Sequence, residues 1–105
     1  MEKSNIFKHI PKDLQDELFE DIISTDTLKI ERIVSYGHTS PQVGWYESQL
    51  NEWVIVLEGE AILTFEDGGD VTLKVGDYLN IKALQKHKVS WTALDKKTIW
   101  LAIYY

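Results

Sequence analysis

Trp45-Tyr46-Glu47-Ser48-Gln49-Leu50-Asn51-Glu52-Trp53-Val54-Ile55-Val56-Leu57-Glu58-Gly59 sets two carboxylates and large aromatic rings at the head of an apolar run that stops at a glycine. Trp53 to Leu57 has the length of a strand and no polar break, the pattern of a strand buried on both faces. A polar head on such a strand is costly unless something pairs with it. Glu47 and Glu52 therefore mark where a site would lie, and His87, far along the chain, is the candidate to meet them.

Downstream of this stretch the chain reads as short strands. Ala61, Leu63 and Phe65 alternate with Ile62, Thr64 and Glu66, and Asp67-Gly68-Gly69-Asp70 follows as a hairpin turn. Val71, Leu73 and Val75 alternate on the return strand. Gly76-Asp77 turns the chain again into Tyr78–Ile81. His87, Val89 and Trp91 share one face of the next strand, and Thr98–Tyr105 is the last. Upstream, Gly37 to Gly44 with Pro41 reads as a loop. Leu28 to Ser35 reads as a strand whose alternation is imperfect around Arg32. Before it, Leu14, Leu18 and Ile22, with Phe19 and Ile23 beside them, recur at three- and four-residue spacing after Pro11. That spacing predicts a short amphipathic helix. Residues 1–27 are thus expected to be a helical segment packed on a barrel formed by residues 28–105, and the fold class is all-β.

Composition narrows the functional classes. The 105 residues carry 17 acidic and 11 basic side chains, a formal net charge of −6, and no cysteine. One domain with one core is the expectation at this length. Disulfides and thiolate metal sites are excluded, and the cytoplasm is the expected compartment. The lysines and arginines form no stripe that would neutralise phosphates, so nucleic acid is not an expected partner. The charged first twenty residues and the lack of a long apolar run predict neither a signal peptide nor a membrane partner.

Two spacings carry a family resemblance. Glu52 is followed by six residues and then Gly59, and Gly76-Asp77-Tyr78 is followed by His87 with about fifteen residues between the two blocks. In this the chain resembles the cupins, small double-stranded β-helix (jelly-roll) barrels. Their first motif is written G-x5-H-x-H-x3or4-E-x6-G and their second G-x5-P-x-G-x2-H-x3-N. The resemblance runs from about Ile30 to the C-terminus and implies a single-domain cupin. It also implies a divalent metal held by the motif histidines and glutamate. Here the two histidines of the first motif are missing. A four-residue spacer puts Trp45 and Glu47 at their positions, and a three-residue spacer puts Tyr46 and Ser48 there. The four-residue spacer is preferred because Glu47 then offers a replacement oxygen. The second motif has Lys82 for its proline, Leu84 for its glycine and Trp91 for its asparagine.

The expected site is accordingly Glu52 and His87 as ligands or acid–base groups, with Glu47 as a third metal ligand for Mn, Fe, Zn or Ni. Trp45, Tyr46 and Trp91 are expected to line the pocket and make it aromatic, suited to a small molecule with one polar group. His38 is expected to stand exposed on its loop, and His9 has no expected role. Trp53, Ile55 and Leu57 fall on the other side of their strand and suggest a homodimer contact. Three function classes stay open: a metal-dependent enzyme of unassigned reaction, a small-molecule binding or sensing module, and a metal-free barrel with a structural or regulatory role.

Overall fold

The computed structural model describes all 105 residues. It contains eight strands: β1 (Leu18–Ser24), β2 (Lys29–Ser35), β3 (Glu52–Glu58), β4 (Glu60–Phe65), β5 (Asp70–Lys74), β6 (Tyr78–Ile81), β7 (His87–Thr92) and β8 (Thr98–Tyr104). One antiparallel sheet has the order β1-β2-β8-β3-β6 and the other β5-β4-β7. Apolar side chains fill the space between them: Ile33, Val54, Val56, Ala61, Leu63, Phe65, Leu73, Ile81, Trp100 and Ala102. β3, expected from its unbroken apolar run to be buried on both faces, is fully buried on one only: Val54 and Val56 are buried while Trp53, Ile55 and Leu57 stand half-buried on the outer side. There the rings of Trp53 and Tyr78 pack at 5.4 Å.

The N-terminal helix predicted after Pro11 is absent, and its residues 18–24 form β1 instead. β2 would otherwise be an edge strand with a row of unpaired N–H and C=O groups, which favours capture of a further strand. β1 supplies it, pairing Phe19 with Ile33 and Asp21 with Glu31. The register then shifts, so that Ile23 rather than Ile22 faces Ile30. This bulge inserts one residue into a period of two. It turns the spacing of Leu18, Phe19, Ile22 and Ile23 into one that mimics a helix. The segment before β1 is tied down by Arg32, whose guanidinium donates to the carbonyls of Ile6 and Lys8 and to the Glu20 carboxylate. With no helix present, none is long and apolar enough to cross a membrane.

Gly59 joins β3 to β4 at φ +86, a left-handed conformation, and a Cβ added there would run into the Lys97 carbonyl oxygen and Thr98. Only glycine meets both conditions without cost. This closure fixes where β3 ends and so which of its residues reach the open end of the barrel.

Candidate functional site

Glu52 opens β3 and lies opposite Ile81 of β6 and Tyr104 of β8. Directly paired residues point to the same face of a sheet, so Glu52 and Tyr104 both enter the space between the sheets. His87 opens β7 on the other sheet, opposite Phe65. The two side chains meet across that space, His87 Nε2 lying 3.1 Å from Glu52 Oε1. The pair is well covered, with Glu52 9% and His87 3% exposed.

The other ring nitrogen decides the protonation. His87 Nδ1 is 2.9 Å from the Gln85 carbonyl oxygen, which can only accept, so Nδ1 carries a hydrogen. One further proton then lies between Nε2 and the carboxylate. Burial pulls the imidazole toward neutrality, but the hydrogen bond with Glu52, the Gln85 carbonyl and the Glu52 charge outweigh it and raise its pKa.

A cavity of about 320 Å³ adjoins this pair, at the small end of the range for ligand sites. Ile33, Val54, Leu63, Ile81, Val89 and Trp100 form its apolar wall. Its remaining polar lining comes from Glu17, Lys29, Glu31, Ser40, Tyr46 and Tyr104. Glu31 is raised by burial against the opposing pull of Lys29, whose Nζ sits 3.4 Å away. Burial also raises Tyr46, and burial followed by the charges of Glu52 and Glu31 raises Tyr104, so both phenols stay protonated at neutral pH.

Of the aromatic and acidic residues singled out in the sequence, Tyr46 lines this cavity, and Trp45, Glu47 and Trp91 lie outside its lining. The Tyr46 and His87 backbones exchange hydrogen bonds of 2.8 and 3.1 Å as an antiparallel bridge. This puts Tyr46 on the inner face with His87 and turns both its neighbours away. Trp45 lies instead against Lys88, whose Nζ is 4.6 Å from the ring centroid, and Glu47 is exposed. The three-residue spacer is therefore the register adopted. Trp91 is displaced by a bulge between β4 and β7: Val89 faces Leu63, but Trp91 faces the outward Ile62, and Thr92 takes the inward place opposite Ala61. His38 is not a free loop residue either. Its Nδ1 accepts from the Tyr36 N–H at 2.8 Å and its Nε2 donates to the Gln15 carbonyl at 2.9 Å.

The divalent metal implied by the resemblance does not fit this arrangement. No three of the histidine, aspartate and glutamate side chains gather as a ligand set. The ring nitrogen that would bind a metal is engaged by Glu52, and the third candidate, Glu47, points to solvent. Tyr46 and Ser48 at the other motif positions are poor replacements for two imidazoles.

Glu17, Lys29, Glu31, Trp100 and Tyr104 escaped the reading of the sequence. Those on β2 and β8 had a signal, since Lys29, Glu31 and Ile33 share one parity and Trp100, Ala102 and Tyr104 another. Glu17 had none, because it precedes a strand that was expected to be helix.

A family model described as the cupin domain matches residues 34–104. Among solved structures, a Ralstonia eutropha protein named a "putative mannose-6-phosphate isomerase" is 36% identical over 99% of this chain and 97% of its own, with a TM-score of 0.91. A cupin superfamily protein of Desulfitobacterium hafniense is 21% identical over 90% of this chain and 82% of its own, at a TM-score of 0.75. An RmlC-like cupin of Desulfovibrio desulfuricans is 19% identical over 99% and 96%, at 0.76. No curated protein matches the sequence at a significant level.

Proposed function

The chain belongs to the cupin family, and from that premise we propose that its barrel is a metal-independent small-molecule site in which the Glu52–His87 pair exchanges a proton with the bound ligand. The observation that carries this reading is the direct hydrogen bond between His87 Nε2 and Glu52 Oε1 beside a cavity whose wall is apolar on one part and charged on another. A buried imidazole that shares a proton with a carboxylate works as a general acid or base without a metal to lower any pKa. The Gln85 carbonyl holds the ring in one orientation, so proton exchange is confined to Nε2.

The name of the Ralstonia eutropha relative suggests a sugar phosphate that undergoes isomerisation. Proton transfer is the half of such chemistry that Glu52 and His87 suit. A phosphate group carries about −2 charge at neutral pH. It would face Glu17, Glu31 and Glu52 with Lys29 as the only lysine and no arginine on the wall. The charge pattern supports a neutral or cationic ligand over a phosphorylated one.

The test is nitrogen NMR of histidine-labelled protein. Expected are a protonated Nδ1 throughout pH 5–8 and His87 signals that Mn²⁺, Zn²⁺ or Ni²⁺ leave unmoved. Zinc-induced movement of the Nε2 resonance to a metal-bound position, lost in Glu52→Gln, would overturn the metal-free reading.

A further inference from the structure

The two outer faces of the barrel differ in charge. On the smaller sheet Glu60 lies beside Lys74, and Thr64 lies between Asp70 and Lys88, a charged face suited to water. On the larger sheet one row of paired residues crosses all five strands as Asn80, Trp53, Ile103, Ile30 and Ile23. The next row runs through Tyr78, Ile55 and Leu101, and only then reaches the Arg32–Glu20 ion pair. These eight neighbouring positions carry no charge, in a chain whose residues are 27% charged. Asn80 is the one polar side chain of the first row, and its Oδ1 already accepts from the Tyr105 hydroxyl at 2.8 Å.

The patch is open. Tyr78 is 66% and Ile23 48% exposed, and Trp53, Ile55, Leu101 and Ile103 are only half-buried. Further along the same face Val34 and Ile99 are fully covered, next to Arg32, whose guanidinium holds the carbonyls of Ile6 and Lys8. A contiguous apolar patch of this kind marks an interaction surface. The surface of the whole chain points the same way. It exposes 6911 Å², whereas a folded monomer of 12.2 kDa exposes about 6,100 Å². The surplus of about 800 Å² is the size of one side of a standard protein–protein interface.

Charge selects the occupant. A charged partner surface would lose its hydration against a face that offers no counter-charge. A second copy brings the same uncharged face, and the excess negative charge of each chain, −6, then stays outside the contact. Two-fold symmetry is the operation by which one patch meets itself.

We propose that two copies of this chain associate about a two-fold axis through the outer face of the larger sheet, with Trp53, Ile55, Tyr78, Leu101 and Ile103 at the centre of the contact. None of these five lines the cavity, so the dimer is independent of any ligand. Trp53 follows Glu52 and Ile103 precedes Tyr104, so the contact backs the strands that position both cavity residues.

Sedimentation equilibrium at micromolar concentration and pH 7.5 should give twice the 12.2 kDa of the chain. Tyr78→Glu changes a side chain that stands largely free in a single copy, so the fold is kept. It places two unpaired carboxylates in the contact and should weaken association at least about a hundredfold. Asn80→Lys, exposed on the neighbouring row, should act in the same way. Thr72→Glu, exposed on the edge strand of the smaller sheet, should leave the dimer unchanged. The His87 nitrogen signals check that each variant is folded. A single-copy mass for the wild type, a mass above two copies, a dimer that survives Tyr78→Glu and Asn80→Lys, or one that is lost in Thr72→Glu overturns the assignment.

Discussion

His87→Leu and Glu52→Gln alter the same hydrogen bond, the first removing it and the second replacing its charged partner, and they should differ in cost by about 2 kcal/mol. Leucine at position 87 leaves the Glu52 carboxylate buried with no donor on its Oε1. Removing one partner of a buried pair costs about 3–5 kcal/mol. The adjoining cavity admits water to one side, so the low end, about 3 kcal/mol, is expected. Glutamine at position 52 is gentler. Its amide donates to Nε2, while Nδ1 keeps its bond to the Gln85 carbonyl, and the loss should be about 1 kcal/mol. In the double variant no orphaned charge remains, so it should be more stable than His87→Leu alone. Urea unfolding of the four proteins at pH 7.5 measures all three differences. A double variant whose loss equals the sum of the single losses would refute the shared-proton pair, because independent groups add. The pH dependence supplies a second check. His87 is raised in the folded protein from its ordinary value of 6.5. Its contribution is therefore full below pH 6.5 and is lost as the pH rises through the higher folded value. Wild-type stability should fall over that alkaline window, and Glu52→Gln should largely abolish the fall. Glu31, raised chiefly by burial, adds a decline that begins near its ordinary value of 4.5, and because the Glu52 charge is the smallest cause of that rise this earlier decline is only slightly reduced in Glu52→Gln.

Gly59→Ala should cost about 3 kcal/mol or more, because an added Cβ at φ +86 would lie 2.5 Å from the Lys97 carbonyl oxygen and 2.6 Å from Thr98 Cα, backbone atoms that cannot yield. Gly68→Ala, at φ +94 with nothing within 4 Å, should cost only about 1 kcal/mol; equal losses in urea unfolding would remove the role of close approach. Trp100→Ala, which empties the core, should cost about 3–5 kcal/mol, and Trp91→Ala on the outer side about 1 kcal/mol. The reverse order would show that the bulge in β7 is not where it has been placed.

Much of the barrel is legible without coordinates because strand patterning is local. The hairpin at Asp67–Asp70, the strand Tyr78–Ile81 and the inward set Ala61, Leu63, Phe65 and Leu73 all follow from alternation and turn chemistry. β1 fails for a definable reason: its bulge at Ile22 breaks the period of two, and its tie to β2 is a pairing between distant residues. The site divides in the same way. Glu52 and His87 stand at strand starts with motif spacing, and they meet. Trp45 and Glu47 lie in a segment whose facing depends on one bridge, from Tyr46 to His87, that the spacing left open between two registers. The side chains missed altogether belong to β2, β8 and the residue before β1, which come to the cavity through pairings between strands distant in sequence.

By itself the sequence determined an all-β cupin barrel, the two residues that face each other inside it, and the absence of the motif histidines. Those are matters of residue type and of spacing within single strands. Only the tertiary structure decided that Tyr46 rather than Trp45 and Glu47 enters the cavity, that Trp91 is turned out by a bulge, and that Glu17 comes to the wall with an unpaired oxygen. Each depends on register between strands distant in sequence, and a shift of one residue reverses every side chain beyond it. No pattern along one strand records that shift.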